Sequence, residues 1–132
     1  MTGLTRKQVI ALTRWSAETL RDRAKSGKLH PDKVGSFWLY DPIELYKTSE
    51  DAKEALNELL NITTHTEGGR HFTEAFRRWM DLEQAGLIRV HRPVHELTGI
   101  RYSSEYWTVE LTEQGTAIAN ELNELIDDGY FL

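Results

Sequence analysis

Apolar residues recur along this chain with two different periods, and each change of period marks an element. Thr5, followed three positions later by Gln8 and then by Val9, Ile10 and Leu12, has the form of a capping box that opens a helix of about two turns. Ser16 opens a second helix, AETLRDRAK, in which Leu20 and Ala24 face inward at four-residue spacing while Glu18, Arg21, Asp22 and Lys25 face out. Gly27 supplies its left-handed stop. From Lys33 to Tyr40 the period shortens to two, with Gly35 and Ser36 as the hinge of a tight hairpin. Asp41 then caps, and Pro42 begins, a further helix through Ile43, Leu45 and Tyr46.

The same rhythm returns in the second half. Ser49-Glu50-Asp51 opens a helix to about Asn61 with Ala52, Ala55, Leu56, Leu59 and Leu60 on one stripe. NITTHTEGGRH is a loop with a Gly pair, and a longer helix from Phe72 to Ala85 buries Phe72, Phe76, Trp79 or Met80, and Leu82 before Gly86 ends it. LIRVHRPVH and YWTVEL alternate as strands around the polar loop ELTGIRYSSE, and Thr112 caps a last helix carrying Ile118, Leu122, Leu125 and Ile126 along one side. Helix, helix, hairpin, helix thus occurs twice. The expected fold is mainly α with small β-hairpins, an α+β class arranged as a tandem winged helix-turn-helix, with a first domain over residues 1–47 and a second over 48–132. The joint Lys47-Thr48-Ser49 is short and polar, which makes it tight and lets the halves share one core.

Charge adds what periodicity leaves open. The chain has 132 residues, 39% of them hydrophobic, and a formal net charge of −5. That sum conceals a division: residues 1–47 hold nine Lys or Arg against five Asp or Glu, whereas 48–132 hold seven against sixteen. Residues 102–132 contain seven acids and no Lys or Arg, so this segment cannot lie on phosphate. No window approaches about eighteen consecutive apolar residues, and MTGLTRKQVIALT lacks a signal-peptide core. With no Cys, the reading is a cytoplasmic protein without membrane contact or disulfides. In a helix-turn-helix the second helix sets its first residues on base edges in the major groove, and a local concentration of Lys and Arg there is the electrostatic footprint of DNA binding. Arg21, Arg23, Lys25, Lys28 and Lys33 form such a concentration, opposed only by Glu18, Asp22 and Asp32.

These residues also carry a resemblance. SAETLRDRAKSGKLHP is similar to the recognition helix and following turn of MerR-like winged-helix proteins, and KVGSFWLYDPIEL resembles the wing and closing helix of phage excisionase-like proteins. The likeness covers roughly residues 4–47 and rests on Ser16, Thr19-Leu20-Arg21, Gly27-Lys28-Leu29, Val34-Gly35 and Trp38 in order. It implies binding to double-stranded DNA, with Ala17, Glu18 and Arg21 near bases and Lys25, Lys28 and Lys33 near phosphate, and Ser16 and Ser36 as further DNA-binding candidates. Where the family has a Gly and a small aliphatic residue before the capping Ser, this chain has Arg14 and Trp15; Arg14 is then expected to reach phosphate and Trp15 to plug the core. Where the wing usually has Arg on either side of its Trp, Phe37 and Leu39 stand instead, which makes the wing a candidate protein interface. LEQAGLIRVHR and YWTVELTEQG resemble, more loosely, the hairpin region of MarR-like proteins over residues 50–126, a likeness that implies a fold more than a function.

In the second half, Arg70, His71, Arg77 and Arg78 lie at or on the helix that would enter a groove, and Arg101 lies near the hairpin tip; all five are candidates for phosphate contact. Glu67, Glu74, Asp81 and Glu83 accompany them and offer intrahelical pairs worth a few tenths of a kcal/mol instead. The last helix and the terminal Tyr130-Phe131-Leu132 leave an apolar seam to be covered. The expectation is a homodimer through Ile118, Leu122, Leu125, Ile126, Tyr130 and Phe131, with packing onto the chain's own helix at 51–60 as the alternative. A protein partner at the acidic last helix is a further possibility. His91 and His95 in an extended segment stand roughly 13 Å apart and do not share an ion. No phosphate loop, Gly-x-Ser-x-Gly or Gly-x-Gly-x-x-Gly occurs, so no enzyme activity, cofactor or metal is expected. The functional expectation is a sequence-specific DNA-binding protein, either a small transcriptional regulator or an excisionase-like recombination factor. A DNA-packaging role and a protein-interaction module are the alternatives.

Overall fold

The chain is described by a computed structural model over residues 2–64, 72–102 and 107–129. Thr5 caps helix α1 (Arg6–Thr13) in a reciprocal capping box: its hydroxyl accepts from the Gln8 amide while the Gln8 side chain accepts from the Thr5 amide. Ser16 caps α2 (Ala17–Lys25), accepting from Thr19 N at 3.0 Å, and Gly27 follows in the left-handed region at φ 79°. Strands β1 (Asp32–Val34) and β2 (Phe37–Leu39) pair antiparallel around Gly35, with Val34 opposite Phe37 and Lys33 opposite Trp38. Asp41 and Pro42 open α3 (Pro42–Thr48), as their order predicts.

Ser49 accepts from the Ala52 amide and starts α4 (Glu50–Thr64), which runs one turn beyond the predicted end. Next come α5 (Phe72–Gln84), an antiparallel pair β3 (Ile88–His91) and β4 (Thr108–Leu111), and α6 (Glu113–Asp127), capped by Thr112. Both strands are shorter than the alternation suggests. Pro93 has no N–H to donate, the ladder stops at His91, and among the described residues pairing resumes as a bridge between Val94 and Arg101. The fold class is α+β, with six helices and two small hairpins among the described residues.

Helix α4 is the centre of the molecule. Ala52, Ala55, Leu56 and Leu59 are fully buried, and α1, α3, α5, α6 and β4 all pack on it. The core is continuous from Leu4, Val9, Leu12, Leu20 and Leu45 to Leu82, Leu87, Ile118 and Leu122, so it crosses the joint at 47–49. Polar contacts cross it too. Gln8 donates from Nε2 to Ala85 O at 2.8 Å and to Gln114 Oε1 at 2.7 Å, and Thr2 N donates to Glu121 Oε1 at 2.6 Å.

This packing corrects the expected dimer seam. Ile118 and Leu122 are buried within the chain, against α4, because a helix with an apolar stripe satisfies it on the nearest matching stripe. Leu125 is half-buried and Ile126 remains partly exposed. Tyr130 and Phe131 lie outside the described residues, as do Arg70 and His71; the side chain of Arg77 lies outside them as well. No helix among the described residues is long and apolar enough to cross a membrane.

Candidate nucleic-acid interface

The cap at Ser16 fixes where α2 begins, and its periodicity fixes what it shows. Leu20 is buried, and Leu29 pins the return of the chain, while Glu18, Arg21, Asp22 and Lys25 face solvent. Arg23 turns back, its guanidinium 4.2 Å from the centroid of the Trp15 ring, and Trp15 packs against the core as its size predicts. Lys28 is exposed beyond Gly27, and Ser36 is exposed at the hairpin tip. Lys33 holds its ammonium 5.7 Å from the Trp38 ring.

Between α2 and the β1–β2 hairpin runs an open groove of about 680 Å³. Its floor is apolar: Leu20, Ala24, Leu29, Pro31, Trp38 and Tyr40. Arg6, Arg21 and Lys25 stand at its rim with His30. Burial raises the pKa of the Tyr40 phenol, and the positive charge of Arg6 partly opposes that rise, which places Arg6 within electrostatic reach of the floor. Among the described residues, no carboxylate forms an ion pair with Arg6, Arg21, Lys25 or Lys28.

Four arginines elsewhere are engaged by carboxylates. Arg14 donates to Asp81 Oδ2 at 2.8 Å, and Arg78 reaches Asp51 at 3.1 Å, Glu54, and Asp81 at 3.7 Å with its side chain only 18% exposed. Burial alone would lower the Arg78 pKa, but the contacts with Asp51 and Glu54 outweigh it and hold the pKa above its ordinary value. Arg92 grips Glu83 with both terminal nitrogens at 2.6 and 2.7 Å and lies 4.7 Å from the Trp107 ring centroid. Its hydrogen bonds hold the Glu83 carboxyl below the usual range. Arg89 meets Glu110 at 3.4 Å. Arg14 and Arg78, expected at phosphate, are each paired with carboxylates of the chain itself, and Asp81 is shared between them. Arg101 is exposed, its backbone bridging Val94.

Two apolar surfaces are open to solvent. On the first hairpin, Val34, Phe37 and Trp38 are exposed, Phe37 to 68% and Trp38 to 51%. Leu39, expected to share that exposure, is partly buried instead: it lies so close to Gly3 that a β-carbon there would meet Leu39 Cβ at 2.8 Å. On the second hairpin, Leu97 and Ile100 project from a loop closed by His95 N to Ile100 O and Gly99 N to His95 O, both 2.8 Å. His91 and His95 are both exposed, and no cluster able to hold a metal ion occurs among the described residues.

Sequence reasoning missed Arg6. It belongs to α1 by its local pattern and reaches the groove only through the packing of α1 beside Tyr40, which pairs with Leu4 in an antiparallel bridge. No protein-family model, curated protein or solved structure matches this chain.

Proposed function

We propose that this chain binds double-stranded DNA through α2 and the β1–β2 hairpin, used as a winged helix-turn-helix, and acts as a small transcriptional regulator or an excisionase-like recombination factor. The observation that carries this reading is the partition of its cations. Arg14, Arg78, Arg89 and Arg92 are neutralised by carboxylates, while Arg21, Lys25 and Lys28 stand exposed on and just after a short, well-capped helix with no such partner among the described residues. Exposed cations without counter-charges are the groups free to neutralise phosphates and release the counterions condensed on DNA, and that release dominates DNA affinity. Arg21 and the N-terminal turn at Ala17 and Glu18 read base edges; Lys25, Lys28 and Lys33 hold phosphate.

Selection of genomic fragments on the purified protein, followed by titration of the enriched duplex at several salt concentrations, tests this. Arg21→Ala is expected to weaken binding to that duplex by about 1–3 kcal/mol, and Lys28→Ala to weaken all sequences alike while lowering the salt slope by about one. Failure to enrich any fragment, or Arg21→Ala binding as tightly as the unaltered chain, overturns the reading. The exposed Val34 and Phe37 favour a second reading, in which the hairpin docks a protein partner. In that case association persists at high salt, where phosphate contacts fail.

A further inference from the structure

The groove between α2 and the first hairpin has an apolar floor, an exposed Trp38 and a cationic rim, so its complement is an acidic segment with apolar side chains. This chain carries one. Glu124, Asp127 and Asp128 are exposed at the end of α6, with no ion pair among the described residues, and Ile126 between them is 38% exposed. The sequence continues Gly129-Tyr130-Phe131-Leu132. A cationic rim and an acidic helix end, both lacking counter-charges within the described chain, are complementary to each other.

We propose that residues 124–132 of a second copy of this chain occupy the groove, two copies exchanging these ends about a two-fold axis. Why a second copy is decided by where α6 is held. Ile118, Ala119 and Leu122 are buried in the core, and α6 remains helical to Asp127, so Glu124 and Asp127 are fixed in position. No residue of α6 lines the chain's own groove, which is bounded by α1, α2, the first hairpin and the segment between them. Those two carboxylates can therefore reach only the groove of another molecule. Reciprocal exchange closes the assembly at two copies, whereas one-way insertion would leave a free groove and a free end at every stage. Arg21 and Lys25 pair with Glu124 and Asp127, while Ile126 covers the exposed Trp38.

Light scattering on the full chain, at about 50 μM and low salt, tests this together with a charge exchange. The unaltered chain is expected to have the mass of a dimer. Arg21→Glu with Lys25→Glu, and separately Glu124→Lys with Asp127→Lys, are each expected to be monomeric. An equimolar mixture of the two variants restores the dimer, because each groove then meets a matching end. A monomeric unaltered chain, variants that remain dimeric, or a mixture that stays monomeric each overturns the proposal. Should a variant fail to fold, a labelled peptide of residues 121–132 takes its place. That peptide is expected to bind the unaltered chain and to bind Arg21→Ala/Lys25→Ala at least about tenfold more weakly, equivalent to about 1.4 kcal/mol. Equal binding to both proteins overturns the proposal. The dimer uses Arg21 and Lys25, the cations that the proposed function assigns to DNA, so the acidic end and DNA compete for this groove; a chain that ignores DNA would still form the dimer, and a chain that enriches DNA but is monomeric when free would refute the dimer alone.

Discussion

Arg14 is the only non-glycine residue with positive φ among those described, at 62°, and it stands where α1 ends and the turn to α2 begins. An L-residue pays roughly 1–2 kcal/mol there because its β-carbon crowds the following carbonyl. The turn holds it in place from both sides. Thr13 donates from its hydroxyl to Val9 O at 2.7 Å and accepts from Trp15 N at 3.2 Å, and the Arg14 guanidinium ends on Asp81. Replacing Arg14 removes the ion pair whichever residue enters, but Gly also removes the strain. Arg14→Gly is therefore expected to be more stable than Arg14→Ala by about 1 kcal/mol in urea titrations. Equal midpoints would show that the turn adopts another shape once the arginine is gone.

At the scale of an element, α6 depends on a residue that helices ordinarily reject. Gly115 sits in its first turn, where Thr112 caps it and also donates to Gly86 O at 2.8 Å, while Thr112 N donates to Leu87 O at 3.0 Å. These bonds draw the helix against the end of α5 and the start of β3. A β-carbon at Gly115 would lie 2.0 Å from the Leu87 carbonyl oxygen, which is backbone and cannot swing away. Helix propensity alone favours Ala over Gly by about 1 kcal/mol. Steric overlap decides the sign here, and Gly115→Ala is expected to destabilise the protein by about 1–3 kcal/mol in chemical denaturation. A stabilised variant would mean that α6 does not pack this closely.

Across the whole molecule the joint at 47–49 separates two patterns but not two cores. α1 packs on α4 and α5, and Gln8 belongs both to the capping box of α1 and to a clamp on Ala85 and Gln114. Removing the first half would expose Leu56 and Leu59, and removing the second would expose Val9 and Leu12. Thermal unfolding is accordingly expected to be a single transition, with equal calorimetric and van't Hoff enthalpies. Two separated transitions would show that the halves are stable apart. The same scale governs charge: the acids at 51, 54, 81 and 83 are matched by Arg14, Arg78 and Arg92, whereas Arg21, Lys25 and Lys28 around α2 and Glu124, Asp127 and Asp128 at the end of α6 have no ion-pair partner among the described residues.

Features decided within three or four residues were legible in the sequence. The capping box at Thr5 and Gln8, the caps at Ser16, Asp41 and Thr112, the stops at Gly27 and Gly86, and the hinge at Gly35 each depend on groups that the chain itself brings into contact, so local order suffices. The exposed face of α2, with Arg21 and Lys25, was legible for the same reason, since helical periodicity fixes which side Leu20 buries. What separates an available cation from a structural one was not. Arg14 and Asp81 are 67 positions apart, and Arg78 and Asp51 are 27 apart, so only tertiary packing tells that these arginines are spent on carboxylates. Likewise the stripe on α6 reads equally well as a dimer seam or as core; the position of α4 beside it decided for core at Ile118 and Leu122. An apolar stripe encodes that it must be covered, and only the arrangement of the other helices in space determines by what.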